Sequence, residues 1–495
     1  MTLEAVVRVP APTGRFRRTL AAAQVHRWSL VVWGAMSAWS AALFIMARAD
    51  YENFRLARYD LGNMVQAVWN TAHGHFLQST DLTGEQTVRL GNHVDPILAL
   101  LTPLWLVAPS PLTLAAAQIG GCALGALPVF WLGRRHLGSE LGGAMAALLY
   151  LAYPWLAWTA LDAMHPATLA IPLFLFAIWF LDEDRPWAFA LCAALALATN
   201  ELAGLTLAAL GLWYGFSYRR ARRGALIAFA GIAWTLLALA LIIPQFRGGP
   251  SPYYAHYEAV GGSPENMVRT AFTDPGAYSS ALSTSHNLAY VFLLAAPLSG
   301  AFLLAPGLAA VALPRLLENG LSDRPTSADP RAHYVDAILP FLVAAAIFGL
   351  ARLPERRRLA LAFLVLAVSV SWFVAAGPRP GAFAKSPIHY TNLLPTTRVS
   401  ALRAAVALVP DGVPVSSSND VGAHLAARRY AATVPVVGRA RWIVVDTRDP
   451  AVPAFPVSRS DPARIRRFVA EVESDSRWQK VFDRDGVLVF RRTGE

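Results

Sequence analysis

Charge is what this sequence has least of. Asp, Glu, Lys and Arg make up only 15% of its 495 residues, against about 25% in an ordinary soluble domain. With 55% hydrophobic residues and a mean hydropathy of +0.40, the chain is expected to be an integral membrane protein. Cysteine is scarce too: Cys122 and Cys192 both fall in apolar runs, so no disulfide framework or zinc motif is readable. Lysine is nearly missing, Lys385 and Lys480 being the two present. A basic repertoire made almost wholly of arginine, beside abundant alanine, fits a GC-rich genome better than a functional demand. Long internal repeats and low-complexity tracts are also lacking, which counts against a transporter built from repeated halves.

The net charge of +11 does not point to nucleic acid. Most basic residues form short clusters between apolar runs, where they set membrane topology. Arg15, Arg17 and Arg18 place residues 1–27 in the cytoplasm. The apolar stretch Ser29–Met46 is long for a signal peptide and is read as an uncleaved first helix. Segment 94–108 is short and is read as juxtamembrane or re-entrant. Spans are expected at about 112–133, 140–158, 166–181, 224–243, 335–352 and 359–376, with short helix pairs over 187–218 and 287–317. Glu201 marks the tip of the first pair and Pro306 the break in the second. This gives about eleven membrane helices, an N-terminus inside and a C-terminus outside. The transmembrane region covers 28–376, with large external loops at about 48–111 and 244–286.

From residue 377 the pattern is that of a soluble domain. Val413–Ser416 and Trp442–Asp446 read as short buried strands, and Arg464–Ser474 as an amphipathic helix. Lys480–Arg491 reads as a hairpin turning at Asp485-Gly486. An extracytoplasmic α/β domain over 377–495 is expected.

On this topology Asp60, His93, Asp162, His165, Glu201, His286, Glu318 and His333 all fall on the external face. Ionisable groups in or near apolar segments are costly and are commonly functional. Each also has a plainer reading. Asp60 precedes a helix-like run and would serve as an N-cap. A histidine can anchor a helix end at the interface. Glu201 would need an arginine partner, for which Arg55, Arg58 and Arg89 are candidates. The aromatic run Tyr253-Tyr254-Ala-His256-Tyr257 reads as an interfacial belt, and Ser416–Asp420 as a turn.

Several segments together resemble a known family. They are Arg58-Tyr-Asp60-Leu-Gly-Asn-Met-Val-Gln66-Ala-Val-Trp69-Asn70, Gly91-Asn92-His93-Val-Asp95-Pro96-Ile97, Asp162-Ala-Met-His165-Pro166, Asn200-Glu201, Arg331-Ala-His333-Tyr334 and Asp485-Gly-Val-Leu-Val-Phe-Arg491. The pattern is similar to the membrane proteins grouped as domain of unknown function 2079, themselves similar to GT-C glycosyltransferases. The chain departs from that pattern at Tyr59, where the family has Phe, at Asp95, and at Asn200, where Lys is common.

The resemblance implies a GT-C-like helical membrane fold and sugar transfer from a polyprenyl-phosphate donor at the non-cytoplasmic face. The acceptor would be a cell-envelope glycan, lipid or protein. Asp60, in the first external loop, would be the catalytic carboxylate. Arg58, Gln66, His93, Asp162, His165, Glu201, His333 and Tyr334 would bind donor or acceptor. By their own chemistry His93, His165 and His333, with Asp95 and Asp162, could help hold a divalent metal, Mg or Mn, and Asp60, His93 and Asp95 are the candidates singled out, although no spacing among them is a metal motif. A plasma-membrane enzyme is therefore expected. The rival expectations are a transporter or lipid flippase, and a non-catalytic envelope assembly factor.

Overall fold

The computed structural model describes residues 14–378, 397–449, 451–452, 459–460 and 462–494. Most of the N-terminal tail falls inside a first helix, Gly14–Glu52. Residues 1–13, and the end of the Gly377–Pro380 boundary, lie outside the described residues.

Among the described residues, four helices are long and apolar enough to cross a membrane: Arg27–Glu52, Pro111–Leu137, Ala221–Arg247 and Glu355–Ala376. A fifth span is formed if Glu140–Leu151 and Pro154–Leu161, bent by 51°, are taken together. Shorter apolar helices fill the expected positions of the others, among them Pro166–Asp182, Pro186–Leu197, Ala203–Ser217, Ser285–Leu298 and Leu339–Ala351. Pro96–Val107 occupies the segment read as juxtamembrane.

Local chemistry sets the boundaries. Gly138, at φ 79°, closes the helix before it. Ser139 then caps the next by accepting from the Gly142 N–H at 2.9 Å. Ala203–Ser217 and Ala221–Leu237 pack along a seam of small residues. A Cβ at Gly204 would run into the Gly231 carbonyl, and one at Gly211 into the Ala228 backbone. Glycine is what lets two backbones come this close inside a bilayer. The seam sets the turn at Asn200-Glu201, whose carbonyls accept from Trp234 and Thr235 at 3.3 and 3.0 Å.

Nine strands are present among the described residues. β1 (Gln78–Thr80) and β2 (Gln86–Val88) form a hairpin in the loop after the first helix. β3 (Val415–Ser417), β4 (Ala431–Thr433), β5 (Trp442–Asp446), β8 (Trp478–Arg484) and β9 (Val487–Arg492) form one sheet in the order β4-β3-β5-β9-β8. β6 (Ala451–Val452) and β7 (Arg459–Ser460) pair separately. β3 runs parallel to β4 and β5, and β9 runs antiparallel to β5 and β8. Alternation sorts the sheet's two faces. Val444 and Val489 pack under helix Thr397–Ala407, while Ile443, Val445, Leu488 and Phe490 pack under Pro462–Ser474. Asp485 and Gly486 both take positive φ, 53° and 80°, the type I′ geometry expected for a two-residue Asp-Gly hairpin.

This domain is fastened to the loop that carries Asp60. His424 stacks on Tyr51 and Phe54 at 4.1 and 3.9 Å, and Asn419 accepts from the Tyr59 N–H at 3.2 Å. Arg58 runs into the joint. It donates to the Ala431 carbonyl through Nε at 3.1 Å and NH2 at 2.6 Å, to the Thr80 carbonyl at 2.8 Å and to Gln66 Oε1 at 3.0 Å. Gln66 in turn donates to the Arg428 and Arg429 carbonyls. Gly422 leaves the room Arg58 needs, since a Cβ there would overlap the Arg58 side chain.

Candidate active site

The turn Arg58–Gly62 is a single π-helical turn ahead of helix Asn63–Ala72. Asp60 sits inside it and makes no cap; the residues at the two N-cap positions are Ala57 and Gly62. The capping explanation of Asp60 therefore does not apply. Its carboxylate is half-exposed and lies 3.6 Å from His165 Nε2.

His165 comes from the bend between Pro154–Leu161 and Pro166–Leu169. Gln118, buried in the first third of span Pro111–Leu137, builds this bend. Its amide donates to the carbonyls of Thr159, Ala160, Asp162 and Ala163 at 2.8–3.2 Å, and its oxygen accepts from the His165 N–H at 2.8 Å. His165 Nδ1 faces the Asp162 and Ala163 carbonyl oxygens, so this nitrogen carries a proton and Nε2 is the one presented to Asp60.

His333 completes the group. Asp162 Oδ2 accepts from the His333 backbone N–H and ring Nδ1, both at 2.9 Å. The His165 and His333 rings stack at 3.6 Å and 13°, with Tyr334 against His333 at 4.1 Å.

Electrostatics separates the roles. Burial pulls the His165 pKa down, but Asp162 and Asp60 outweigh it and carry it to about 9. His333 goes the other way, to about 4, because burial and the His165 charge outweigh Asp162. Burial raises the Asp60 carboxyl, yet the hydrogen bond and charge of His165 hold it below the usual carboxylate range. At neutral pH Asp60 is ionised, His165 is an imidazolium and His333 a neutral imidazole.

Asp162, His165 and His333 each bring a ligand atom within 4.8 Å of the others. One carboxylate oxygen and two imidazole nitrogens form a donor set that suits a divalent cation. All three were among the residues that could hold a metal; the candidates Asp60, His93 and Asp95 are not brought together. Asp95 is buried and paired with Arg89 at 2.7 Å, and burial keeps its carboxyl above its ordinary range. His93 pairs with Glu201 at 3.0 Å and stacks on Tyr253 at 4.3 Å. Glu201, whose other oxygen accepts from the Val94 N–H at 3.0 Å, thus has a histidine and a backbone amide as partners, with no arginine among the described residues.

Arg58 and Gln66 are corrected as well. The resemblance implied ligand binding for both, but the tight turn sends Arg58 into the joint with the C-terminal domain, where internal hydrogen bonds engage both side chains. Burial lowers Arg58 to about 10, so it stays cationic at neutral pH. Glu318 belongs to a further buried group, with Arg315 at 2.7 Å and Asp336 beyond it. His286 bonds the Pro325 carbonyl. Gln118 was missed from sequence, though a lone glutamine in an apolar span is a signal that finds it; Asn419 was read as part of a turn over Ser416–Asp420.

The family pattern for a predicted membrane protein, DUF2079, matches residues 50–489, a stretch holding every residue of this site. The chain belongs to that family. This DUF2079 protein is a predicted membrane protein. It is similar to crystal structures of ArnT from Cupriavidus metallidurans, one bound to undecaprenyl phosphate and one in the apo state. Both are 13% identical with TM-scores of 0.50; they cover 94% and 95% of this chain and 98% of ArnT. The Archaeoglobus fulgidus oligosaccharyltransferase in the apo form is similar at 14% identity and a TM-score of 0.42, over 83% of this chain and 70% of that one. Comparison with curated proteins finds no match. At these identities the likeness concerns the fold.

Proposed function

We propose that this DUF2079 protein is an integral membrane glycosyltransferase that moves a sugar from a polyprenyl-phosphate donor to a cell-envelope acceptor. The observation that carries this is the half-exposed Asp60 carboxylate, held beside the His165 imidazolium and the Asp162–His333 pair, on a GT-C-like fold. In this reading the protein is a multi-pass plasma-membrane enzyme of about eleven helices, several of them short. The N-terminus is cytoplasmic, and the site and C-terminal domain are extracytoplasmic.

Asp60 accepts the proton of an acceptor hydroxyl as that oxygen bonds to the anomeric carbon. The bond from this carbon to the phosphate oxygen breaks, and polyprenyl phosphate leaves with the electron pair. Asp60 is ionised and ready, and its depressed pKa makes it a weak base, so its contribution is mainly placement. His165, cationic, faces the negative charge that grows on the departing phosphate. Asp162 holds His333 by two hydrogen bonds and His165 by charge. Asp162, His165 and His333 are the residues that would hold a divalent cation, which would neutralise phosphate charge. Because the cation must displace the His165 proton, its affinity falls as pH drops below about 9.

The test is transfer from radiolabelled polyprenyl-phosphate sugars in membranes holding equal amounts of wild type and Asp60→Asn. Transfer abolished by the substitution supports the reading, and equal transfer removes Asp60 from the chemistry. A transport reading leaned on Glu201, which the fold engages with His93 and Val94.

A further inference from the structure

Gln118 reaches the site from inside a membrane span, where a primary amide is costly unless its polar atoms find partners. It is 1% exposed. Helix Pro154–Leu161 ends beside it, and the chain leaves that helix at Asp162, with φ −67° and ψ 91°. Carbonyls in the last turn of a helix have no partner within the helix, and a bilayer core has no water to serve them. The Gln118 amide nitrogen lies 3.2 Å from the Thr159, Ala160 and Asp162 carbonyl oxygens and 2.8 Å from that of Ala163. Its oxygen turns the other way and accepts from the His165 N–H at 2.8 Å. Carbonyls around the nitrogen and an N–H at the oxygen leave one orientation for this amide.

The same frame holds the His165 ring. Its Nδ1 faces the Asp162 and Ala163 carbonyl oxygens at 3.1 and 3.3 Å, two of the four that Gln118 serves. Gln118 thus fixes the backbone atom beside which this side chain starts and the two acceptors that hold its Nδ1. The stack on His333 at 3.6 Å fixes the plane of the ring. Nε2 is left facing Asp60 at 3.6 Å. We propose that Gln118 is a positioning residue of the Asp60–His165 site, fixing the direction in which His165 presents Nε2. It acts through His165 and touches no reacting atom itself. Its effect on turnover rests on the reading of the site as that of a transferase, whereas its hold on His165 does not.

Two variants of the full chain in nanodiscs test this. Gln118→Met fills a similar length without an amide, and Gln118→Glu keeps an acceptor for the His165 N–H. Tyr150→Phe is the control. The buried Tyr150 hydroxyl donates to the Cys122 carbonyl at 2.6 Å, so this change deletes a buried hydrogen bond one turn further along the same span. Hydrogen exchange, thermal midpoint and sugar transfer are read on each. In Gln118→Met the peptide covering Ala160–Thr168 should exchange about tenfold faster. Its kcat should fall by about 10²-fold with KM unchanged. Gln118→Glu should lie between Gln118→Met and wild type. Tyr150→Phe should lower the thermal midpoint and leave both kcat and that exchange at wild-type values. Wild-type kcat in Gln118→Met would overturn the proposal. So would a kcat loss in Tyr150→Phe that matches its loss of thermal midpoint, since any weakening of the span would then suffice. Should Gln118→Met not fold, Gln118→Glu carries the test by the same criterion. Transfer absent from wild type removes the transferase reading alone. The exchange then decides: faster exchange over Ala160–Thr168 upholds the hold of Gln118 on His165, and unchanged exchange removes it.

Discussion

Two groups of ionisable residues differ in how completely their charges are matched. In one, Arg89 closes on Asp95, and His93 and the Val94 amide close on Glu201. In the other, Asp60 is half-exposed, His165 stands 3.6 Å away, and Asp162, His165 and His333 keep convergent ligand atoms. Burial with full pairing makes a joint; partial exposure with spare donors and acceptors makes a place for a ligand. The same residue types serve both ends, so the distinction lies in geometry.

The largest effect that would break this comparison is on transfer. Asp60→Asn should lower kcat by about 10²–10⁴-fold while the thermal midpoint in detergent stays within a degree or two of wild type. A large loss of stability instead would place Asp60 among the structural charges.

The closed group should answer the other way. Arg89→Ala leaves Asp95 buried without its cation and should destabilise by about 3–5 kcal/mol, read as a lower thermal midpoint, with transfer per folded molecule little changed. A catalytic defect at full stability would contradict that assignment.

Acid and base should separate the regions again. His424, buried in the joint, has its pKa lowered to about 4 by burial, below an unfolded value of about 6.5. The unfolded chain therefore takes up a proton first, and stability falls as pH drops from about 6.5 to about 4. His165, raised to about 9, contributes stability that is complete below about 6.5 and is lost as pH rises through about 9. Thermal midpoints against pH should lose part of their acid slope in His424→Phe, the rest belonging to His333, whose pKa burial also lowers to about 4, and should lose their alkaline slope in His165→Asn. If either substitution removes the other's slope, the two regions are not independent.

The smallest effect belongs to the contact between them. Asn419→Ala deletes one hydrogen bond to the Tyr59 amide, worth about 1 kcal/mol, and should lower kcat by less than about tenfold with KM unchanged. Asn419→Ser, which keeps a short acceptor, should recover part of the loss.

Some of this was legible along the chain. Asp162 and His165 are three residues apart, and the break between two apolar helices puts them on one bend. The Asp485-Gly486 hairpin and the helix pair meeting at Glu201 follow from turn chemistry and span length. Which of the candidate metal residues meet was not legible, because Asp95 and His93 look as available as Asp162 and His333 when no partner is visible. Arg58 was misread because neighbours in sequence point to different sides of a tight turn.

The sequence by itself determined the class of the molecule. An apolar chain with arginine between its runs must satisfy its backbone in helices within a bilayer, and a segment with period-two alternation must form a half-buried sheet. Only the tertiary structure decided which charges meet. Asp60, His165 and His333 come from three separate loops, Glu201 finds His93 across more than a hundred residues, and Arg58 finds Ala431 across several hundred. Such pairings depend on how the helices pack, and no local pattern of residues encodes that distance.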